Sequence, residues 1–318
     1  MNLQFSIIVP VYNRPQEIEE LLQSLTNQVF ENTVEIIVVE DGSTLPCKSV
    51  VKKYTDQLLV NYFFKPNTGA GDSRNFGMQK ANGNYFVILD SDVLLPSHYL
   101  DAVEKSLSLN YTDFYGGPDA AHPSFTAIQK AINYSMTSLL TTGGIRGKKK
   151  GIGKFQPRSF NMGISKNAFE ASNGFSEMKY GEDIDLSLRL ESLGFKSQLI
   201  SNAFVYHKRR STFKQFLLQT YNFGTARPVL NQKYPPTAKL TYWFPSLFII
   251  GLMLSVMALF TGYWQLWALY KVYFIAIFID ASLKNKSIKV GFLSAITTLI
   301  QFIGYGSGFL KSWIQQKL

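Results

Sequence analysis

Cysteine is almost missing from this chain: Cys47 stands alone among 318 residues. A single thiol excludes an intramolecular disulfide framework and fits a reducing cytosol. Histidine is nearly as scarce, at three residues, so a histidine at the end of a strand is worth noting. Acidic residues are outnumbered, 22 against 32 Lys and Arg, for a formal net charge of +10. That excess suits an anionic bilayer surface or anionic substrates. No nucleic-acid motif accompanies it, so nucleic acid is not expected as a partner. There are no internal repeats. Met1 to Gln4 leads straight into an apolar run, which predicts no secretory signal.

What is present first is an alternation of strands and helices. Phe5 to Val9 is apolar and stops at Pro10. Asn13 is read as an N-cap with Pro15 in the first helical turn, and Ile18, Leu21, Leu22 and Leu25 recur at helical spacing. A second strand, Val34 to Val39, ends in Glu40-Asp41-Gly42-Ser43. A third, Leu58 to Phe64, ends in Lys65-Pro66-Asn67-Thr68-Gly69. A fourth, Tyr85 to Leu89, ends in Asp90-Ser91-Asp92. Strands alternating with helices imply parallel βαβ units, with polar strand ends gathered at the carboxyl edge of one sheet.

Two aspartates one residue apart at such an edge suit a hard divalent cation that also touches phosphate oxygens. Mg²⁺ or Mn²⁺ needs only one or two carboxylates beside water and phosphate. Alone the pattern is weak, because many such pairs are solvated loop carboxylates. Gly69-Ala70-Gly71 lacks the third glycine of a dinucleotide-binding fingerprint, and that reading is rejected.

Pro10-Val11-Tyr12-Asn13, Glu40-Asp41-Gly42-Ser43, Asn67-Thr68-Gly69, Arg74-Asn75 and Asp90-Ser91-Asp92 follow one another in order. Gly174-Phe175, Gly181-Glu182-Asp183 and His207 come after them. Over about residues 4–230 this ordered set resembles the family-2 glycosyltransferases, inverting enzymes that use nucleotide sugars. The resemblance implies an α/β fold of GT-A type, a Rossmann-like mixed nucleotide-sugar-binding sheet. It also implies Mn²⁺ or Mg²⁺ as cofactor.

It implies site residues too. Asp92 would be the principal metal ligand, with Asp90 on the metal, its water or the ribose, and Ser91 between them. Pro10, Tyr12, Asn13, Asp41, Asn67, Gly69 and Arg74 would line the nucleotide. Asp41 would meet a base N–H and Arg74 would lie against a uracil. The plainer alternatives are a turn aspartate and a helix-surface cation. Asp183 would be the catalytic base, with Glu182 supporting the acceptor or orienting the base. Acids in a first helical turn are also favoured by the helix dipole alone. Gly117, Asn161 and Gly181 would shape the acceptor side. His207 would complete the metal site or bind diphosphate, or be a plain surface histidine. Asp185 and Arg189, four apart, read as an ordinary ion pair. The chemistry agrees: inverting transfer needs charge neutralisation on a leaving diphosphate and a base on the opposite face of the sugar.

Thr126 to Leu140 reads as helix. Gly143 to Lys154, with Arg146 and Lys148-Lys149-Lys150, reads as a basic loop for anionic headgroups or a diphospho-lipid, or as a solvated loop. Lys208-Arg209-Arg210 would screen the diphosphate or be solvated. Phe213, Phe216, Leu217, Thr220 and Tyr221 share a helical face, which suits an interfacial helix or packing on the catalytic domain. Tyr242 to Tyr263 and Val290 to Leu310 carry no charge, and Trp264 to Ile279 carries only Lys271. About 20 residues cross a bilayer. Three membrane helices are expected; a hairpin of two spans with an interfacial middle segment is the alternative. The domains are thus 1–212 catalytic, 213–241 juxtamembrane and 242–318 anchor. Lys284, Lys286 and Lys289 argue for a cytoplasmic catalytic domain on the inner membrane, whereas three crossings would put Lys311 and Lys317 outside.

The processive members' Gln-x-x-Arg-Trp motif is replaced by Gln219-Thr220-Tyr221-Asn222-Phe223, which favours transfer of one sugar per acceptor. The expected activity is metal-dependent transfer of a sugar, from a UDP-linked donor by resemblance, to a lipid-linked or cell-surface polysaccharide acceptor. A polyprenyl-phosphate sugar synthase and a catalytically inactive sugar-nucleotide-binding scaffold are the alternatives.

Overall fold

The computed structural model describes residues 3–143 and 156–318. The chain divides into two compact units, one of residues 1–122 and 145–208, the other of residues 123–144 and 209–318. Most of the basic loop expected over Gly143 to Lys154 lies outside the described residues.

The first unit runs β1 (Phe5–Val11), α1 (Pro15–Thr26), β2 (Glu35–Asp41), α2 (Lys48–Lys52), β3 (Leu59–Lys65), α3 (Ala70–Lys80), β4 (Tyr85–Leu89), β5 (Val93–Leu94), α4 (Tyr99–Leu109), β6 (Phe114–Gly116) and β7 (Asp119–Ala120). After residues assigned to the other unit come β8 (Asn161–Ser165), α7 (Lys166–Ser172), α8 (Glu182–Ser192), β9 (Ser197–Leu199) and β10 (Val205–His207). Helices α5 (Ala127–Thr137), α6 (Leu139–Thr142), α9 (Phe213–Lys233), α10 (Phe244–Leu259), α11 (Gln265–Asn285) and α12 (Ile288–Gln315) make the second unit.

A seven-stranded sheet has the order β3-β2-β1-β4-β8-β6-β9. β1 to β4 pair in parallel, and β8 pairs antiparallel with both β4 and β6, so the sheet is mixed. A small sheet, β5-β10-β7, lies beyond the end of β4. Every residue of β1, β2 and β4 is buried, as near-continuous apolar strands covered on both faces require. One side of the sheet packs on α1 through Ile18, Leu21, Leu22 and Leu25 and on α4 through Leu100 and Val103. The other packs on Met78 of α3, Phe169 of α7 and Leu186 and Leu190 of α8. Pro15 does open α1, but Asn13 does not cap it. Asn13 sits at φ 53, and its side-chain oxygen accepts from Thr44 Oγ1 and the Leu45 N–H instead. That contact ties the turn after β1 to the turn after β2.

In the second unit, α5 opens on a capping box, Thr126 with Gln129. It ends at Thr137, three residues short of the Leu140 end expected for it, and α6 follows after Ser138. Among the described residues, three helices are long and apolar enough to cross a membrane: Leu240–Leu259, Gln265–Asn285 and Ile288–Gln315, with mean hydropathies of 1.9, 1.6 and 1.4. The third differs from the others, since 44% of its most apolar window is buried against 11% for each of the first two. Its partners are α9 and α5. Phe216, on the stripe read from Phe213 to Tyr221, is fully buried and packs with Ile132, Met136 and Ile300. The stripe therefore serves packing among the C-terminal helices. Residues 123–144, placed by sequence in the catalytic domain, group with those helices for the same reason.

Candidate functional site

β4 delivers Asp90 and Asp92 to the carboxyl edge of the parallel strands. β10 pairs antiparallel with β5, His207 opposite Val93, and the Lys208 N–H donates to the Asp92 carbonyl at 2.9 Å. This register brings an imidazole from the far end of the unit onto the carboxylate. His207 Nε2 lies 3.3 Å from Asp92 Oδ1. One ligand atom each from Asp90, Asp92 and His207 fall within 4.8 Å of one another. His207 is only 12% exposed at its side chain, so the surface-histidine reading fails.

Arg14, from the turn before α1, donates to Asp92 Oδ2. Burial alone would raise the Asp92 pKa, but His207 and then Arg14 outweigh it and hold the carboxyl well below the usual carboxylate range. Asp92 Oδ1 is buried with no hydrogen-bond partner. A buried acceptor of this kind is costly unless something fills its lone pairs. Two carboxylates and an imidazole around it are a donor set that suits Mn²⁺ or Mg²⁺.

Arg74 is the bridge. It is 3% exposed, donates from Nη2 to Asp90 Oδ1 at 2.7 Å and from Nη1 to Glu182 Oε1 at 3.1 Å, and stands 5.2 Å from the Phe175 ring centroid. It is not a helix-surface cation. Its guanidinium is committed to two carboxylates, one at each end of the site. Glu182 and Asp183 open α8, which starts at Gly181 with φ 81, a conformation that glycine adopts without strain. Asp183 Oδ1 accepts the Ile184 N–H at 2.8 Å and lies 3.7 Å from Arg158 Nη1. Glu182 is pushed up to about 7, by burial first and the Asp183 charge second, with Arg74 opposing. Asp185 and Arg189 form their expected pair at 3.1 Å, and Asp185 is fully buried rather than on the surface.

The Asp41 carboxylate is occupied by its own surroundings. Oδ1 accepts from Lys65 Nζ at 2.8 Å and the Thr68 N–H at 3.0 Å, and Oδ2 accepts the Gly69 N–H at 3.0 Å. Burial works against ionisation, but the hydrogen bond from Lys65 leads a set of contacts that lower its pKa. Asp41 thus shapes the Asn67–Gly69 loop, and Asn67 Nδ2 returns a bond to the Asp41 carbonyl at 2.8 Å. Pro10 and Ser91 are buried, and Tyr12 is 51% exposed at the same edge.

The acceptor-side expectation for Asn161 and Gly117 is corrected. Asn161 is fully buried. Its side chain accepts from Tyr99 Oη at 2.6 Å and donates to the Ala203 carbonyl at 2.8 Å. A Cβ on Gly117 would stand 2.0 Å from the Ala203 oxygen and 2.2 Å from Asn161 Nδ2. Both residues close a knot inside the core and present nothing to a ligand. The basic run after His207 is likewise engaged: Lys208 pairs with Glu20, and Arg209 Nη2 donates to Asn133 Oδ1 at 3.1 Å. Sequence reading missed Arg14, Lys65 and Arg158. Arg14 had a signal, as the residue after Asn13 in the turn at the carboxyl end of β1; Arg158 had none.

The model of glycosyl transferase family 2 matches residues 6–171. The chain belongs to that family. Among relatives, the minor teichoic acid biosynthesis protein GgaB of Bacillus subtilis is 28% identical over 65% of this chain and 23% of its own length. The poly(ribitol-phosphate) beta-N-acetylglucosaminyltransferase TarS of Staphylococcus aureus is 39% identical over 35% of this chain and 20% of its own. The chain spans less than half the length of the curated relatives it matches. Solved structures show the same GT-A fold. The mannosyltransferase PcManGT of Pyrobaculum calidifontis, in complex with GDP-Man and Mn²⁺, is 17% identical with a TM-score of 0.64, covering 94% of this chain and 88% of that one. Residues 1–349 of TarS, in complex with UDP-GlcNAc, are 19% identical with a TM-score of 0.52, covering 99% and 92%.

Proposed function

We propose that this family-2 chain is a metal-dependent inverting glycosyltransferase, moving a sugar from a uridine-diphosphate donor to a lipid-linked or cell-surface polysaccharide acceptor at the cytoplasmic face of the inner membrane. One observation carries the reading: Arg74 joins Asp90, in the Asp90/Asp92/His207 cluster, to Glu182, beside Asp183. Asp92, Asp90 and His207 would hold the cation. When bound, it neutralises the charge developing on the leaving diphosphate. Arg14 adds a second positive group at the same carboxylate and can turn toward a phosphate oxygen.

Asp183 takes the proton of the acceptor hydroxyl, with Arg158 Nη1 3.7 Å from its carboxylate to orient it. Glu182 carries a proton near neutrality, so two negative charges need not coexist at the helix start, and Arg74 fixes its position. Asp41 holds the Asn67–Gly69 loop where Tyr12 and Asn67 meet the nucleoside. The UDP-GlcNAc and GDP-Man complexes of the structural neighbours support a nucleotide donor, and the minor teichoic acid biosynthesis protein GgaB and the poly(ribitol-phosphate) transferase TarS among the relatives support a polymer acceptor.

A donor panel tests this. Membranes containing the full chain are given UDP- and GDP-sugars with Mn²⁺, and nucleoside diphosphate release is read with and without EDTA. Metal-dependent UDP release onto endogenous acceptor is expected. Nucleotide binding with no turnover of any donor would mean a scaffold, and a product on polyprenyl phosphate would replace the acceptor assignment.

A further inference from the structure

Of the three helices long enough to cross a membrane, α12 is the longest, at 28 residues. Its surroundings set it apart. Toward its start, Ser294, Thr297 and Thr298 are fully buried. Thr297 Oγ1 shares a hydrogen bond with Ser135 Oγ of α5 at 2.6 Å and donates to the Ala131 carbonyl at 3.2 Å. Toward its end, glycines let α9 approach backbone to backbone. A Cβ on Gly304 would stand 2.8 Å from the Leu217 carbonyl oxygen, and one on Gly308 would stand 2.2 Å from that of Tyr221. Both covering helices are polar: α5 carries Gln129, Lys130 and Asn133, and α9 carries Lys214, Gln215, Gln232 and Lys233. A hydrocarbon slab about 30 Å thick around α12 would have to enclose Gln129, Asn133 and much of α9, with Lys130, Lys214 and Lys233, each in the first or last turn of its helix, reaching for its faces.

Helices α10 and α11 stand on α12 at both ends. At the outgoing end, Ser246 Oγ donates to the Gly306 carbonyl at 3.0 Å, and the Trp243 ring lies 4.9 Å from Phe309 and 5.0 Å from Trp313. At the returning end, a Cβ on Gly291 would stand 1.9 Å from Ser282 Oγ, and Tyr134 Oη donates to Asp280 Oδ2 at 2.6 Å. Between those feet the surface is apolar and uncovered: Met253, Leu254, Met257, Leu269 and Val272 are all more than half exposed. From Leu240 to Ile279 the single charge is Lys271, whose ammonium lies over the Trp267 ring at 3.9 Å. Tyr263 and Trp264 cap the far end, as aromatic residues do at a membrane interface.

We propose that α10 and α11 alone enter the bilayer, as a pair that leaves α12 and returns to it. α12 lies outside the hydrocarbon as their platform, on the side from which the chain enters α10. Lys286, Lys311 and Lys317 then all face that side, which removes the conflict that three crossings create for the last two. This rests on the membrane part of the function proposed above and is independent of its chemistry.

The test uses Lys286→Cys and Lys317→Cys, one on each side of α12, in the full chain. Cys47 is fully buried and adds no background. Inverted and right-side-out vesicles of the expressing cells are treated with a membrane-impermeant maleimide. Both cysteines are expected to label in the same vesicle orientation and to lose labelling together in the other. Labelling in opposite orientations would show that α12 crosses and overturn the proposal. So would equal labelling of both sites in both orientations, or recovery of the chain in the soluble fraction. Donor turnover in the same vesicles reads the transferase reading separately.

Discussion

Two acidic pairs face each other through Arg74, and one acid of each is pushed in an opposite direction, Asp92 down and Glu182 up. At Asp90 and Asp92 the neighbours are basic side chains: Arg14 and the His207 imidazole sit on Asp92, and Arg74 sits on Asp90. The Asp92 carboxyl is held below the usual range although its side chain is only 12% exposed, because His207 and Arg14 outweigh desolvation. At Glu182 and Asp183 two acids stand side by side at the start of a helix, each with one arginine, Arg74 on Glu182 and Arg158 on Asp183. Burial and Asp183 together push Glu182 up to about 7. On the proposed reading the same functional group serves two tasks, Asp92 to stay charged against a cation and Glu182 to hold a proton near neutral pH.

The comparison breaks most severely at Asp183. Asp183→Asn keeps the shape but cannot take a proton, and transfer is expected to fall by about two to four orders of magnitude. Initial rates of sugar transfer in membranes measure it. A loss below about tenfold, or roughly 1.4 kcal/mol, would move the base elsewhere, with Glu182 next in line.

A smaller effect sharpens the same contrast. A carboxyl whose folded pKa lies above its unfolded value stabilises the fold fully below the unfolded value and loses that contribution as pH rises through the folded one. For Glu182 the window runs from 4.5 to about 7. Glu182→Gln removes the titration, so its stability relative to wild type should rise across that window, by on the order of 3 kcal/mol at most. Thermal melts of both proteins in EDTA, at several pH values, read the difference. A constant offset from pH 4 to pH 8 would mean that Glu182 titrates normally.

Much of this arrangement was legible before folding. Strands β1 to β4 announce themselves as β-branched and aromatic runs ending in turn residues, and topology then forces Asp41, Asn67 and Asp90 to one edge. Six of the expected residues lie along one line: Asp90, Asp92 and His207 cluster, Arg74 joins Asp90 to Glu182, and Asp183 is next to Glu182. What sequence could not supply was the cations. Arg14 and Arg158 reach the site by side-chain length from segments with no motif of their own, and a basic residue in a turn looks the same whether solvated or buried. Asn161 failed for the converse reason: a polar residue at a strand start near the site reads as a ligand contact, yet its amide is used up by Tyr99 and Ala203. The third apolar helix has the length and hydropathy of a span, but hydropathy counts residues and not the partners that cover them. Ser294, Thr297 and Gln301 on its buried face were the available sign.

The division of labour between the two acidic pairs is tested most directly by calorimetric titration of UDP with Mn²⁺ into the wild type, Asp92→Asn and Asp183→Asn. Wild type and Asp183→Asn should bind alike, and Asp92→Asn should lose the Mn²⁺-dependent part of the binding. Retained metal-dependent binding in Asp92→Asn, or its loss in Asp183→Asn, would contradict the assignment of the cation to one pair and the proton to the other.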